Sequence, residues 1–273
     1  MNAKIQSAID LNFSSEWGFL APLRIEPMMR IGQNTDGGYV VPSDALRNID
    51  TLISLGIFND WSFDLHLLKI IPNLEVHAYD HTISKQDFKR GYHRALIKFI
   101  KGRLSYSALT EKRKLYHSYC SFFSENRKHY QERVHNRLDQ PNDVTLDVIF
   151  DRTQSKCSFL KIDIEGGEYR IIDDILKYSG RIQVLVMEFH DTDPLMTLFI
   201  SAVKKLQEKF DLVHLHVNNY GKLASNLFPE VLEITFVKKG MLSGDHKRAT
   251  LPLDDLDFAC NTEAPDYKIN FAS

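Results

Sequence analysis

Three stretches of this sequence set charged or imidazole side chains into what otherwise read as buried strands. In FLKIDIEGGEYRII (159–172), Lys161, Asp163 and Glu165 alternate onto one face while Leu160, Ile162 and Ile164 take the other. Charged groups in so apolar a strand are costly unless they are paired, bind a metal or line a cleft. In VLVMEFHD (184–191), Glu188 and His190 share a face, and in LVHLHVNNY (212–220) His214, His216 and Asn218 do the same. Ligands of open α/β sheets gather beyond the carboxyl ends of the strands, so Asp163, Glu188, His190 and His216 are expected to converge on one site. Mixed oxygen and imidazole ligands suit magnesium or manganese. Without a metal, Asp163 or a neutral His190 would serve as general base.

A second pair of signals points to a nucleoside. Gly56, in SLGIFNDWSFD (54–64), follows an apolar run and allows a ligand to approach the backbone at the start of a helix. Asp80 closes the next apolar run in VHAYDHT (76–82), where a carboxylate accepts ribose hydroxyls. The glycine spacing of a dinucleotide fingerprint is absent, which argues against a nicotinamide enzyme. Taken singly, the two also read as an ordinary turn capped by Asp60 and a turn-initiating Asp.

Elements able to position these residues follow from periodicity. Short runs rich in β-branched and aromatic residues predict strands at 50–55, 74–79, 159–164, 183–189, 212–217 and 231–237, with helices at 61–71, 167–177 and 194–209 between them. Alternation of this kind predicts an α/β fold with a mostly parallel sheet. The short connection before 231–237 favours an antiparallel hairpin for the last strand. Segment 84–137 breaks the rhythm. Phe88, Tyr92, Leu96, Phe99 and Ile100 fall on one helical face and Lys89, Arg90, Arg94, Lys98 and Lys101 on the other, so the segment reads as a basic, mainly helical insertion; periodicity does not decide between helix and one further strand near 115–123.

The 273 residues suffice for a single domain with that insertion and an N-terminal extension, 1–29. Apolar runs fall short of the roughly 20 residues needed to span a bilayer, and the start lacks the apolar core of a secretory signal, so a cytoplasmic protein is expected. Three scattered cysteines form neither a disulfide framework nor a zinc pattern. The net charge of −2 conceals fourteen Lys and Arg against four Asp and Glu within 84–137. With five tyrosines nearby, Arg90, Arg94 and Lys98 are expected to hold the phosphate of an acceptor such as a nucleotide-linked sugar, or else to face solvent as a lid.

RIGQNTDGGYVVP (30–42), SLGIFNDWSFD, AYD (78–80), LKIDIEGGE (160–168), MEFH (187–190) and LEITFV (232–237) together resemble the FkbM-type methyltransferase family. The resemblance implies a Rossmann-like class I methyltransferase fold, seven strands with the last antiparallel. It also implies S-adenosylmethionine (SAM) as donor and a hydroxyl, often on a sugar, as acceptor. Carried onto this chain, it places Gly56, Asp60, Ser62 and Asp80 in the donor pocket, with Asp36, Gly37, Gly38 and Tyr39 beside it. Phe58 and Asn59 depart from the family's glycine-richer first turn. The resulting expectation is a SAM-dependent sugar O-methyltransferase, assisted by a divalent metal at Asp163, Glu188, His190 and His216. The alternatives are an RNA methyltransferase, with nucleic acid the less expected partner, and a non-catalytic Rossmann-like binding protein.

Overall fold

Uninterrupted apolar runs such as VLVMEF suit strands covered on both faces, and they form the middle of the sheet. The computed structural model describes residues 8–241 and 247–272. Seven strands make one sheet: β1 (Thr51–Leu55), β2 (Glu75–Tyr79), β3 (Arg127–Tyr130), β4 (Ser158–Ile162), β5 (Ile182–Phe189), β6 (Phe210–Val217) and β7 (Leu232–Lys238). Their spatial order is β6-β7-β5-β4-β1-β2-β3. All pairings are parallel except those of β7, which runs antiparallel to both β5 and β6. This is the α/β class I sheet that the sequence implied.

Helices α1 (Ser62–Ile70), α2 (Lys85–Ile100), α3 (Tyr106–Phe122), α4 (Leu146–Thr153), α5 (Ile172–Lys177) and α6 (Met196–Leu206) connect the strands. Ile149, Ile175 and Phe199 bring α4, α5 and α6 into the core on one side of the sheet, and Phe63, Leu67 and Phe122 bring α1 and α3 into a second core. The chain leaves β1 toward β2 and β3 and returns on the other side at β4. The carboxyl ends of β1 and β4 therefore flank a topological switch point, where such sheets open a crevice.

The structure corrects several boundaries. The segment 115–123, which periodicity left undecided between strand and helix, is helix: α3 starts on the cap Ser105, whose hydroxyl accepts the Ala108 N–H at 3.2 Å, and Tyr119 and Phe122 are its buried residues there. The missing strand is β3, inside the segment read as an insertion, so only α2 and α3 stand outside the sheet. Its sequence, RKHY, lacks an apolar run because it is an edge strand paired only with β2. The helix expected over 167–177 is a 3-10 turn, Glu168–Arg170, followed by α5. Of the N-terminal extension, residues 1–7 lie outside the described residues, and Ile9–Phe13 pairs in parallel with Tyr267–Phe271, tying the two ends of the described chain together. Among the described residues no helix is long and apolar enough to cross a membrane.

Candidate functional site

The turn after β1 is built around close backbone approach. Gly56 has φ +81°, and a Cβ there would lie 1.6 Å from the Asp163 carbonyl oxygen. No other residue fits between β1 and β4 at this point. Asp80, at the end of β2, braces the turn. One carboxylate oxygen accepts the N–H groups of Ile57 (3.1 Å) and Phe58 (2.7 Å), and the other accepts the N–H (2.7 Å) and hydroxyl (2.6 Å) of Thr82. Burial opposes the charge on Asp80, but these donors overcome it and hold its pKa below the usual carboxylate value. Asp60 accepts the Ser62 N–H at 2.8 Å at the start of α1, together with the Ser62 hydroxyl and the Gln33 amide.

These residues edge a cleft of about 490 Å³ at the switch point, within the size range of small-ligand sites. Asp36, Gly37, Gly56, Asp60, Asp80 and Asp163 all line it. Gly38, Tyr39 and Ser62 do not line it. Gly38 packs beneath the Arg30 guanidinium, Tyr39 is buried with the Lys161 ammonium 5.8 Å above its ring, and Ser62 acts through its bonds to Asp60. The opposite wall, Glu132 to His135, follows β3 and was not foreseen because β3 itself was not. Phe58, held at φ +39° and 64% exposed, stands at the mouth.

Next to this cleft lies the acidic and imidazole cluster. His190 Nδ1 sits 3.1 Å from the fully buried carboxylate of Glu168. Its Nε2 faces three more carboxylates: Glu188 at 3.3 Å, Glu165 at 3.5 Å and Asp163 at 3.9 Å. Burial disfavours the imidazolium, yet the bonds to Glu168 and Glu188 outweigh it and push the ring's pKa up to about 11. The carboxylates around it favour the imidazolium over the neutral ring expected of a free base. Burial raises the pKa of Asp163, against the pull of Lys161 and His190, and raises that of Glu188 to about 8. Glu168 also accepts the N–H groups of Ile164 and Gly166, fixing the loop that carries Asp163 and Glu165.

The four residues expected to share a metal do not form one group. Asp163 and His190 converge with Glu165, whereas Glu188 groups with Asp36 and Glu233. His216 is turned away, with Nδ1 3.1 Å from Glu233 and Nε2 3.3 Å from Asp266, beside Cys260. The reason is register: β7 lies between β5 and β6 and sets Glu233 directly opposite both Glu188 and His216. Two carboxylates facing each other across a sheet are unfavourable, and pairing LEITFV with VLVMEF is the signal that exposes this pair. Tyr39 points its hydroxyl into the same region without a hydrogen-bond partner, surrounded by the charges of Glu188, Asp163, Glu233 and Asp36. Lys161 is the buried counter-cation, bonding the Gly56 carbonyl at 3.1 Å.

The basic side chains expected to hold acceptor phosphate are not at the cleft. Arg94 and Lys98 line no described cavity, and Arg90 lines a separate depression with Lys85 and His129. They belong to α2, which runs away from the end of β2.

A model described as the Methyltransferase FkbM domain matches residues 58–234. No curated protein matches the chain. Among solved structures it is similar to a fibrillarin/Nop5p complex, at 12% identity over 70% of this chain and 74% of that one with a TM-score of 0.40. It is also similar to a precorrin-6y C5,15-methyltransferase from Geobacter metallireducens GS-15, at 16% identity over 71% and 85%, TM-score 0.34. A third is spermidine synthase from Thermotoga maritima, at 13% identity over 72% and 56%, TM-score 0.35.

Proposed function

Because the chain belongs to the FkbM methyltransferase family, a family of SAM-dependent methyltransferases, we propose that it transfers the methyl group to a hydroxyl of a sugar. The observation that carries this reading is the position of Asp163. Its side chain, 31% exposed, lines the cleft at the switch point and at the same time borders the His190 cluster. The donor fits the cleft with its nucleoside against the Gly56 turn and Asp80, between Phe58 and the wall that follows β3. The acceptor oxygen then attacks the methyl carbon in line, the carbon–sulfur bond breaks to release S-adenosylhomocysteine, and Asp163 receives the hydroxyl proton. A protonated His190, held by Glu168, keeps Asp163 in place.

Several acceptor oxygens at the transfer end, from Asp163, Glu165 and Asp36, suit a polyol. They would repel a phosphate brought close. Arg90, Arg94 and Lys98 are away from the cleft, so those three lend no support to a nucleotide-linked sugar or an RNA acceptor there. A cytoplasmic location, where the donor is made, goes with this reading.

A divalent cation is favoured by one specific arrangement. A buried carboxylate on Nδ1 with the other ring nitrogen facing Asp163, Glu165 and Glu188 is how a metal-binding imidazole is oriented. Magnesium or manganese held by Asp163, Glu165 and His190, in place of the Nε2 proton, would lower the pKa of the acceptor hydroxyl. Calorimetry and turnover on a panel of sugars test the whole reading. Asp163→Asn should bind SAM as the wild type does and lose turnover, and exhaustive chelation should do the same until magnesium or manganese is restored. Full turnover by Asp163→Asn refutes the proposal; full activity in excess EDTA removes only the metal.

A further inference from the structure

Residues 88–110 contain Lys89, Arg90, Arg94, Lys98, Lys101 and Arg103 and no Asp or Glu. They form most of α2, the turn after it and the start of α3. At the root, Phe88 and Tyr119 pack on Trp61 with ring centroids 5.8 and 5.6 Å away. Beyond the root the two helices pack chiefly on each other, through Tyr92 on Tyr116 and Phe99 on Tyr106. The 16 residues of α2 span about 24 Å, so the far end of the hairpin is well removed from the cleft, near which α2 begins.

That far end is apolar and uncovered. Ile97 is 53% exposed, Ile100 74% and Tyr106 70%, and Phe99 lies between them at 38%. Arg94, Lys98, Lys101 and Arg103 surround them, all exposed, and none has an ion-pair partner among the described residues. The rest of the chain carries a formal excess of acid, so this end is a localised patch of opposite sign.

We infer that the tip of the α2–α3 hairpin docks this protein onto an anionic lipid surface, with Ile97, Phe99, Ile100 and Tyr106 entering the headgroup region and the surrounding cations meeting lipid phosphate. Cationic side chains ringing exposed large apolar ones is the pattern of an element lying at a membrane interface. Single-stranded nucleic acid shares the charge requirement but is gripped by stacking on flat rings. Two of the four exposed side chains here, Ile97 and Ile100, are aliphatic and offer no such face. Four side chains at a helix end enter an interface; they do not span one. The inference goes beyond the methyl transfer and does not depend on it.

Co-sedimentation of the full chain with vesicles of phosphatidylglycerol and phosphatidylcholine, against pure phosphatidylcholine, tests it. Binding to the anionic vesicles alone is expected, weakening as salt rises. Lys98→Gln, Lys101→Gln and Arg103→Gln should each weaken it roughly fivefold, and Ile97→Ser with Ile100→Ser should weaken it without changing the charge. A tryptophan placed by Ile100→Trp should be quenched by brominated lipid. SAM affinity, read by calorimetry, should be unchanged in every variant, which also separates this test from that of the methyltransferase site. No binding to anionic vesicles, equal binding to both kinds, no loss in the Ile97→Ser/Ile100→Ser variant, or binding to single-stranded RNA in place of vesicles would each overturn the inference.

Discussion

Asp80→Ala should cost both donor affinity and stability. From position alone, at a strand end, the carboxylate reads as a ribose acceptor of little structural weight. In the structure its two oxygens accept four hydrogen bonds, two of them from the backbone of the turn that edges the switch-point cleft. Alanine leaves the buried Ile57 N–H without a partner and removes charge-assisted bonds to Phe58 and Thr82. An unsatisfied buried donor costs about 1–3 kcal/mol and each lost bond to a charged group about 1.5–3 kcal/mol gross, part of which water returns at the open edge of the cleft. We therefore expect a net loss of about 3 kcal/mol, or a fall in Tm of roughly 6–12 °C. SAM affinity should fall about 10- to 150-fold, the worth of a bond to a charged acceptor. Asp80→Asn separates the two effects. Its amide oxygen can still accept from Ile57 and Phe58, but its NH2 faces the Thr82 N–H donor to donor, so it should recover only part of the stability lost in Asp80→Ala while lacking the charge that a ribose hydroxyl would bond. Differential scanning calorimetry and titration calorimetry with SAM read the two quantities. An Asp80→Ala protein with wild-type Tm would refute the bracing role, and one with wild-type SAM affinity would refute the place of the nucleoside.

Three further outcomes follow from the same geometry. Gly56→Ala drives a methyl group into the Asp163 carbonyl, so it should abolish SAM binding and lower Tm even though the change is a single carbon. Lys161→Met removes the buried cation whose field favours ionised Asp64 and Asp163 and leaves the Gly56 carbonyl without its donor, so it should destabilise by about 1–3 kcal/mol in urea titrations; no loss at all would mean that the two carboxyls are simply protonated. Asp257 is buried, which opposes its charge, but His214 at 2.9 Å holds its pKa down to about 2 against 3.8 in the unfolded chain. Its stabilisation is complete above the unfolded value and disappears as pH falls toward 2, so the stability gap between wild type and Asp257→Asn should shrink by about 2 kcal/mol from pH 5 to pH 2; a gap that stays constant contradicts this.

What was legible in the sequence is what depends on local pattern. Apolar runs buried on both faces announced β1, β2, β4, β5, β6 and β7, because a strand with no solvent face has few polar positions to obscure it. β3 was not legible for the converse reason. An edge strand of four residues carries Arg127, Lys128 and His129, and its burial comes from Tyr130 stacking on Tyr79 at 4.8 Å, a contact between residues 51 apart that no window of sequence contains. Missing β3 also meant missing the cleft wall that follows it.

The site was legible in its parts and not in its partition. Each of Asp163, Glu188, His190 and His216 was correctly expected at or near a strand end, since each polar residue interrupts an apolar run. Which of them meet depends on the order of strands in space, and β7 enters between β5 and β6. That insertion puts Glu233 between Glu188 and His216, so His216 is satisfied by Glu233 and Asp266 and does not join His190. Glu168 was overlooked for a related reason: it sits in a one-turn 3-10 segment, where its side chain folds back to cap Ile164 and Gly166 before reaching His190. Its consequence is mechanistic. With Nδ1 committed to Glu168, only Nε2 of His190 is left to act toward Asp163, Glu165 and Glu188, and whatever cation that ring nitrogen meets, a proton or a metal, sets the charge at the rim of the switch-point cleft, where we propose that the acceptor hydroxyl lies.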